Sequence, residues 1–175
     1  MSWQRTADNL MEGLSKAGRT VSSFFLLLMV LLINIEVIGR YFMGFSTLIS
    51  DEYSAYFFVG CTFLGFTYSF RQGHFLRVGI LADRLSSAAQ SILHIAASLL
   101  GFALSVVVTY EVFMLTLVSI RFDSVSIQPS ATPLWIPQVL MPLGMGAMSL
   151  LFLNEAAQTI SNLIRARRKI QEEEN

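Results

Sequence analysis

Glu36 and Arg40 stand four residues apart within one strongly apolar stretch, and Glu111 stands alone within another. Ionisable groups in such surroundings could bind a proton or pair with an opposite charge. A charge at the centre of a membrane helix costs about 2.5 to 3.5 kcal/mol on insertion scales, and less near an interface. Glu36 and Arg40 are spaced to face each other on a helix and partly neutralise one another, which makes them affordable as a structural pair. Glu111 has no opposite charge within a turn, so it either finds an arginine on another helix or subunit or is protonated. Other chemistry is poorly represented. His-Glu-x-x-His, Gly-x-Ser-x-Gly, Cys-x-x-Cys and Gly-x-x-x-x-Gly-Lys are all missing from the sequence, so no catalytic residue and no metal site is expected. His74 falls in a polar segment and His94 at the start of an apolar run, neither suited to axial ligation of haem. Cys61 is the single cysteine and reads as a small packing residue.

The elements that must position these residues are four apolar runs: Val21–Gly39, Tyr53–Phe70, Ile92–Ile120 and Leu134–Leu153, of 19, 18, 29 and 20 residues. A helix needs about 20 mostly apolar residues to cross a hydrocarbon core of about 30 Å, so each run can span once. With 54% hydrophobic and 14% charged residues, the chain reads as an all-α integral membrane protein with a single four-helix membrane domain over residues 21–164. Ten of the 12 basic residues lie before the first run, between the second and third, or after the fourth. The positive-inside rule therefore places both termini and the middle segment in the cytoplasm, and the segments at 39–52 and 121–133 outside. Basic residues divided among three segments, with zero net charge, leave no nucleic-acid footprint.

Residues 1–20 carry Trp3, Ala7, Leu10, Leu14 and Ala17 at helical spacing, a stripe that continues into Val21, which predicts an amphipathic helix on the inner membrane face rather than a cleaved signal peptide. A second amphipathic segment is predicted over about 76–91, and residues 165–175 form a charged cytoplasmic tail. Pro142 should kink the fourth span unless a neighbour compensates. Cys61, Gly65 and Ser69, and likewise Ala97, Gly101 and Ser105, recur every four residues, as surfaces for close helix approach do.

The series Glu36-Val-Ile-Gly-Arg40-Tyr-Phe, Asp51-Glu52-Tyr53, Phe63-Leu-Gly65, Arg71-Gln-Gly-His74-Phe-Leu-Arg77-Val and Asp83-Arg84-Leu85 is followed by Pro133-Leu-Trp135-Ile-Pro137 and Met141-Pro142-Leu-Gly144. Over residues 30 to 150 this order resembles the small membrane subunit of tripartite ATP-independent periplasmic (TRAP) transporters. Two positions depart from the family pattern: Glu36, where asparagine is frequent, and Gly79, where aspartate is.

The resemblance implies a non-catalytic scaffold in the bacterial inner membrane. It would brace a large elevator-type membrane subunit that takes up a small carboxylate-bearing solute delivered by a periplasmic substrate-binding protein. The sodium gradient would be used by the partner, with no cofactor and no substrate site here. Glu36, Arg40, Asp51, Glu52, Gly65, Arg71, His74, Arg77, Gly101 and Glu111 are then structural or interface residues, with membrane lipids as further partners. Arg40 and Glu52 together would fix the outer ends of the first two spans. The alternative is a self-sufficient four-helix proton-coupled carrier, with Glu36 or Glu111 holding the proton.

Overall fold

The computed structural model describes residues 2–42, 44, 46, 49–72 and 87–173. Its helices are α1 (Ser2–Phe42), α2 (Ser50–Arg71), α3 (Ser87–Arg121), the single turn α4 (Trp135–Gln138) and α5 (Leu140–Glu173). Among the described residues there is no strand, only an isolated antiparallel bridge between Val125 and Pro133. His74, Arg77 and the segment 76–86 lie outside the described residues, whereas 87–91 belong to α3.

Among the described residues three stretches are long and apolar enough to cross a membrane: Asp8–Phe42, Ala89–Arg121 and Trp135–Arg165. The second of the four expected spans coincides with α2, whose 22 residues are long enough to cross but which is not among these three most apolar stretches. Its position accounts for that composition. Helices α1 and α5 flank α2, and α5 in turn packs on α3, so the order across the bundle is α1, α2, α5, α3. A helix sheltered on two sides needs less apolar surface than the two at the ends of the row.

Helix directions follow from the side-chain pairings. Ser15 meets Thr67 and Ser22 meets Cys61, which makes α1 and α2 antiparallel. Gly60 lies against Leu140 and Phe70 stacks edgewise on Phe152 at 4.5 Å, so α2 and α5 run parallel. Gly101 against Phe152 and Gly146 against Thr109 set α3 antiparallel to α5. The N-terminal end of α1 and the C-terminal end of α5 thus share one end of the bundle with Arg71. The loop at 122–134 closes the other, where Ser46 also lies.

The packing is inside-out relative to a water-soluble bundle. Ser15, Ser98, Ser105, Thr116, Ser119 and Ser149 are buried, while Phe24, Leu27, Leu31, Leu104, Val107 and Val118 are exposed. Small side chains let helix backbones approach closely, and apolar ones face outward where hydrocarbon would meet them. The buried hydroxyls of Ser105, Thr116 and Ser149 donate to carbonyls of their own helices, so burying them leaves no orphaned donor.

Several sequence boundaries shift. Residue 20 is not a helix boundary, because α1 continues unbroken from the amphipathic stretch into the apolar run. Leu10 and Val21 of the predicted stripe are exposed, while Ser15 and Gly18 form the face that packs on α2. The charged tail is helical through Glu173. Pro142 exerts its effect as an interruption at Val139, between α4 and α5, since its ring is incompatible with the carbonyl four residues earlier. On α3, Ser98 rather than Ala97 joins Gly101 and Ser105 on the packed face; Ala97 is exposed.

Candidate functional site

The densest polar cluster lies at the loop-closed end, where Glu52 opens α2. Asp51 and Glu52 stand in the first turn of that helix, where carboxylates favour the free backbone N–H groups. Asp51 is exposed and Glu52 is buried. The Glu52 carboxylate accepts a hydrogen bond from the Tyr56 hydroxyl at 2.5 Å on one oxygen and from the Ser130 hydroxyl on the other. The chain continues outward: Thr132 Oγ1 donates to Ser130 Oγ at 2.9 Å and lies 3.1 Å from the Tyr53 hydroxyl. Burial pushes the Glu52 carboxyl up, but hydrogen bonds from Ser126, Ser130 and Tyr56 outweigh it and hold the group below the ordinary carboxylate value.

The loop that delivers Ser126, Ser130 and Thr132 is itself ordered by backbone bonds. Helix α3 ends with Asp123 in the left-handed region at φ 50°, with Ser124 N–H donating to Ser119 O at 2.9 Å and Asp123 N–H to Ile120 O at 3.3 Å. This Schellman arrangement turns the chain sharply, and aspartate tolerates that φ better than most side chains. Ser126 N–H to Thr132 O and Leu134 N–H to Ser124 O then close a narrow loop.

The predicted Glu36–Arg40 pair forms at 3.1 Å, with Glu36 buried and Arg40 61% exposed. Ser46 also donates to Glu36, at 2.5 Å, and Arg40 to Ser46 at 3.3 Å, so this cluster ties the end of α1 to the first loop. Of the two expected means by which Arg40 and Glu52 would fix the outer helix ends, a salt bridge or helix-end hydrogen bonds, the structure shows hydrogen bonds at each end and no Arg40–Glu52 ion pair among the described residues. Each carboxylate and the arginine satisfy themselves within separate clusters: Glu36 holds Arg40, and Glu52 holds the second loop.

At the opposite end Asp8 joins three helices. Gln158 and Asn154 of α5 donate to its carboxylate, and Arg71 of α2 donates to its backbone carbonyl at 3.3 Å. His94 approaches Glu155 to 3.7 Å. Sequence reading missed Asp8, Asn154 and Gln158, whose one local signal is the spacing of Asn154 and Gln158 on a single helix face.

Glycines mark the closest helix approaches. A Cβ on Gly65 would lie 2.8 Å from Ser22 Oγ of α1, and one on Gly101 would lie 2.5 Å from the Phe152 ring of α5. Three closer or equally close approaches were not singled out from sequence: Gly18 against α2, Gly60 against the Phe25 ring, and Gly144 against the Phe63 backbone. Glu111 lies on the exposed side of α3 and forms no ion pair with a described residue. Among the described residues no group of histidine, cysteine or carboxylates could hold a metal ion. The arrangement offers polar clamps at both ends of the bundle and an apolar exterior between them.

Residues 29–162 match the family described as the DctQ component of tripartite ATP-independent periplasmic transporters. The matched stretch contains α1 from Met29 onward, all of α2, α3 and α4, and most of α5. No curated protein matches the chain.

Proposed function

The chain belongs to the DctQ family, the small membrane component of TRAP transporters, and from that premise we propose that it is the fixed brace of its transporter. Its four long helices cross the bacterial inner membrane, with the Asp8 end in the cytoplasm and the Glu52 end in the periplasm. It holds the large membrane component, which moves a small carboxylate-bearing solute against the brace using the sodium gradient. A periplasmic binding protein supplies that solute.

The observation that carries this reading is the distribution of polarity. The polar clusters at Glu52 and Asp8 sit at the two ends of a row whose middle is apolar outside and small-residue inside. Such a body resists deformation at both membrane faces, and among the described residues the cavity lined by Thr109, Phe113, Thr116, Pro142 and Leu143 is chiefly apolar. A binding site in a secondary transporter is instead usually built at mid-depth from interrupted helices. Helix α2 crosses in spite of its lower hydropathy because α1 and α5 cover two of its sides.

Two experiments bear on the proposal. With Cys61 replaced by alanine, a cysteine at Ile127 should react with an impermeant thiol reagent on intact cells, and one at Gln72 should react only after the membrane is opened. The reverse pattern would contradict the proposed topology, either by inverting the whole bundle or by removing the α2 crossing, and equal labelling of both would mean that α3 does not cross. Separately, the tagged chain should copurify with the large membrane component expressed beside it. Recovery of the chain alone from a membrane containing both would end the brace reading.

A further inference from the structure

Helices α1 and α3 form the two ends of the row, and their outer faces differ in one respect. From Thr20 to Ile35 the exposed side of α1 is uncharged and mostly apolar, with Thr20 donating to Lys16 O at 3.1 Å and Asn34 to Val30 O at 2.8 Å. The corresponding face of α3 carries Leu100, Leu104, Val107, Glu111, Met114 and Val118 at spacings of three or four residues, all exposed and opposite the buried Ser105 and Thr116. Glu111 is ten residues before Arg121, about 15 Å at 1.5 Å per residue, which is half the depth of a hydrocarbon core of about 30 Å. An acid at mid-depth facing lipid is among the costliest placements a membrane helix can have, and this one has no ion-pair partner among the described residues.

We propose that the α3 face bearing Glu111 is the docking surface for the large membrane component, through a helix that sets a lysine, arginine or other strong hydrogen-bond donor opposite Glu111. Charge complementarity selects this end of the row. The α1 end, with no charge to satisfy between Arg19 and Glu36, faces lipid. The inference rests on the brace reading and adds to it which surface makes the joint and what chemistry the partner brings to it.

A photo-crosslinking amino acid placed at Val107 or Val118, and for comparison at Leu27 or Leu31 of α1, tests the surface in an otherwise unchanged chain coexpressed with the large component. Adducts to that component from the α3 positions should exceed those from α1 by about tenfold or more. Glu111→Lys should lower the copurified large component by at least about tenfold, and Glu111→Gln, which keeps an acceptor, by less than about threefold. The helical content of either variant purified alone should match the parent. Adducts from Leu27 and Leu31 with silent α3 positions would overturn the surface while leaving the brace reading intact, as would normal copurification of Glu111→Lys. Failure of the unchanged chain to bind the large component would overturn both.

Discussion

Gly144→Leu should abolish the native bundle, whereas Gly146→Ala, two residues away on the same helix, should leave it unchanged. A Cβ on Gly144 would overlap the backbone carbonyl group of Phe63, and backbone cannot turn aside as a side-chain end can. The parallel helices α2 and α5 would have to separate, and α2 is also the helix on which α1 packs. Overpacking of this kind costs about 1 to 3 kcal/mol where side chains can yield, and more where they cannot. A Cβ on Gly146 would instead find its nearest neighbour, Thr109 Cγ2, at 3.7 Å, an ordinary van der Waals contact. Thermal unfolding and size-exclusion profiles of the two variants in detergent should therefore diverge. Equal behaviour would mean that α2 and α5 do not meet at Phe63 and Gly144.

Glu52→Ala should release the second loop and lower the melting temperature by several degrees, more than Arg40→Ala does. Removing Glu52 takes away the acceptor of the Tyr56 hydroxyl and frees Ser130 from α2, and the Ser130–Thr132–Tyr53 chain then loses its anchor. Removing Arg40 takes away a guanidinium that is 61% exposed, and Glu36 still accepts from Ser46. Exposed ion pairs contribute about 1 kcal/mol at most, so Arg40→Ala should be mild. The pH dependence has a defined sign. Because Glu52 is held below its ordinary value in the folded chain, its contribution is present above the ordinary carboxylate range and is lost as pH falls through the folded value. Glu52→Gln should reduce the acid-induced fall in stability in that window. An unchanged acid profile would mean that this carboxylate is not bonded as described.

The fold was legible from sequence where the signal is local. Four apolar runs become four long helices, and a spacing of four residues brings Glu36 to Arg40. The glycines at 65 and 101 were legible as close approaches because a small residue within a helix has few other uses. Their partners Ser22 and Phe152 were not, since helix order across a bundle is not encoded in any one helix. The unbroken α1 was missed because hydropathy changes near residue 20 while helix propensity does not, and no proline or glycine pair interrupts the chain there.

The polar clusters were the least legible part. Glu52 could be singled out as an acid beside a helix start, but its bond to Ser130 spans 78 positions and depends on the loop geometry set by Asp123 and the Val125–Pro133 bridge. Asp8 meets Gln158 across 150 positions. Such contacts follow from the parallel and antiparallel order of the helices, which composition and periodicity do not determine.

The central claim is that this component braces a transporter and does not itself carry solute. Its most direct test is uptake into liposomes under an imposed sodium or proton gradient, with the 175-residue chain reconstituted first alone and then with the large membrane component and the binding protein. The chain alone should move no solute under either gradient, and uptake should appear only when all three components are present. Gradient-driven uptake by the purified chain, lost on Glu111→Gln, would contradict the brace and establish a small proton-coupled carrier in its place.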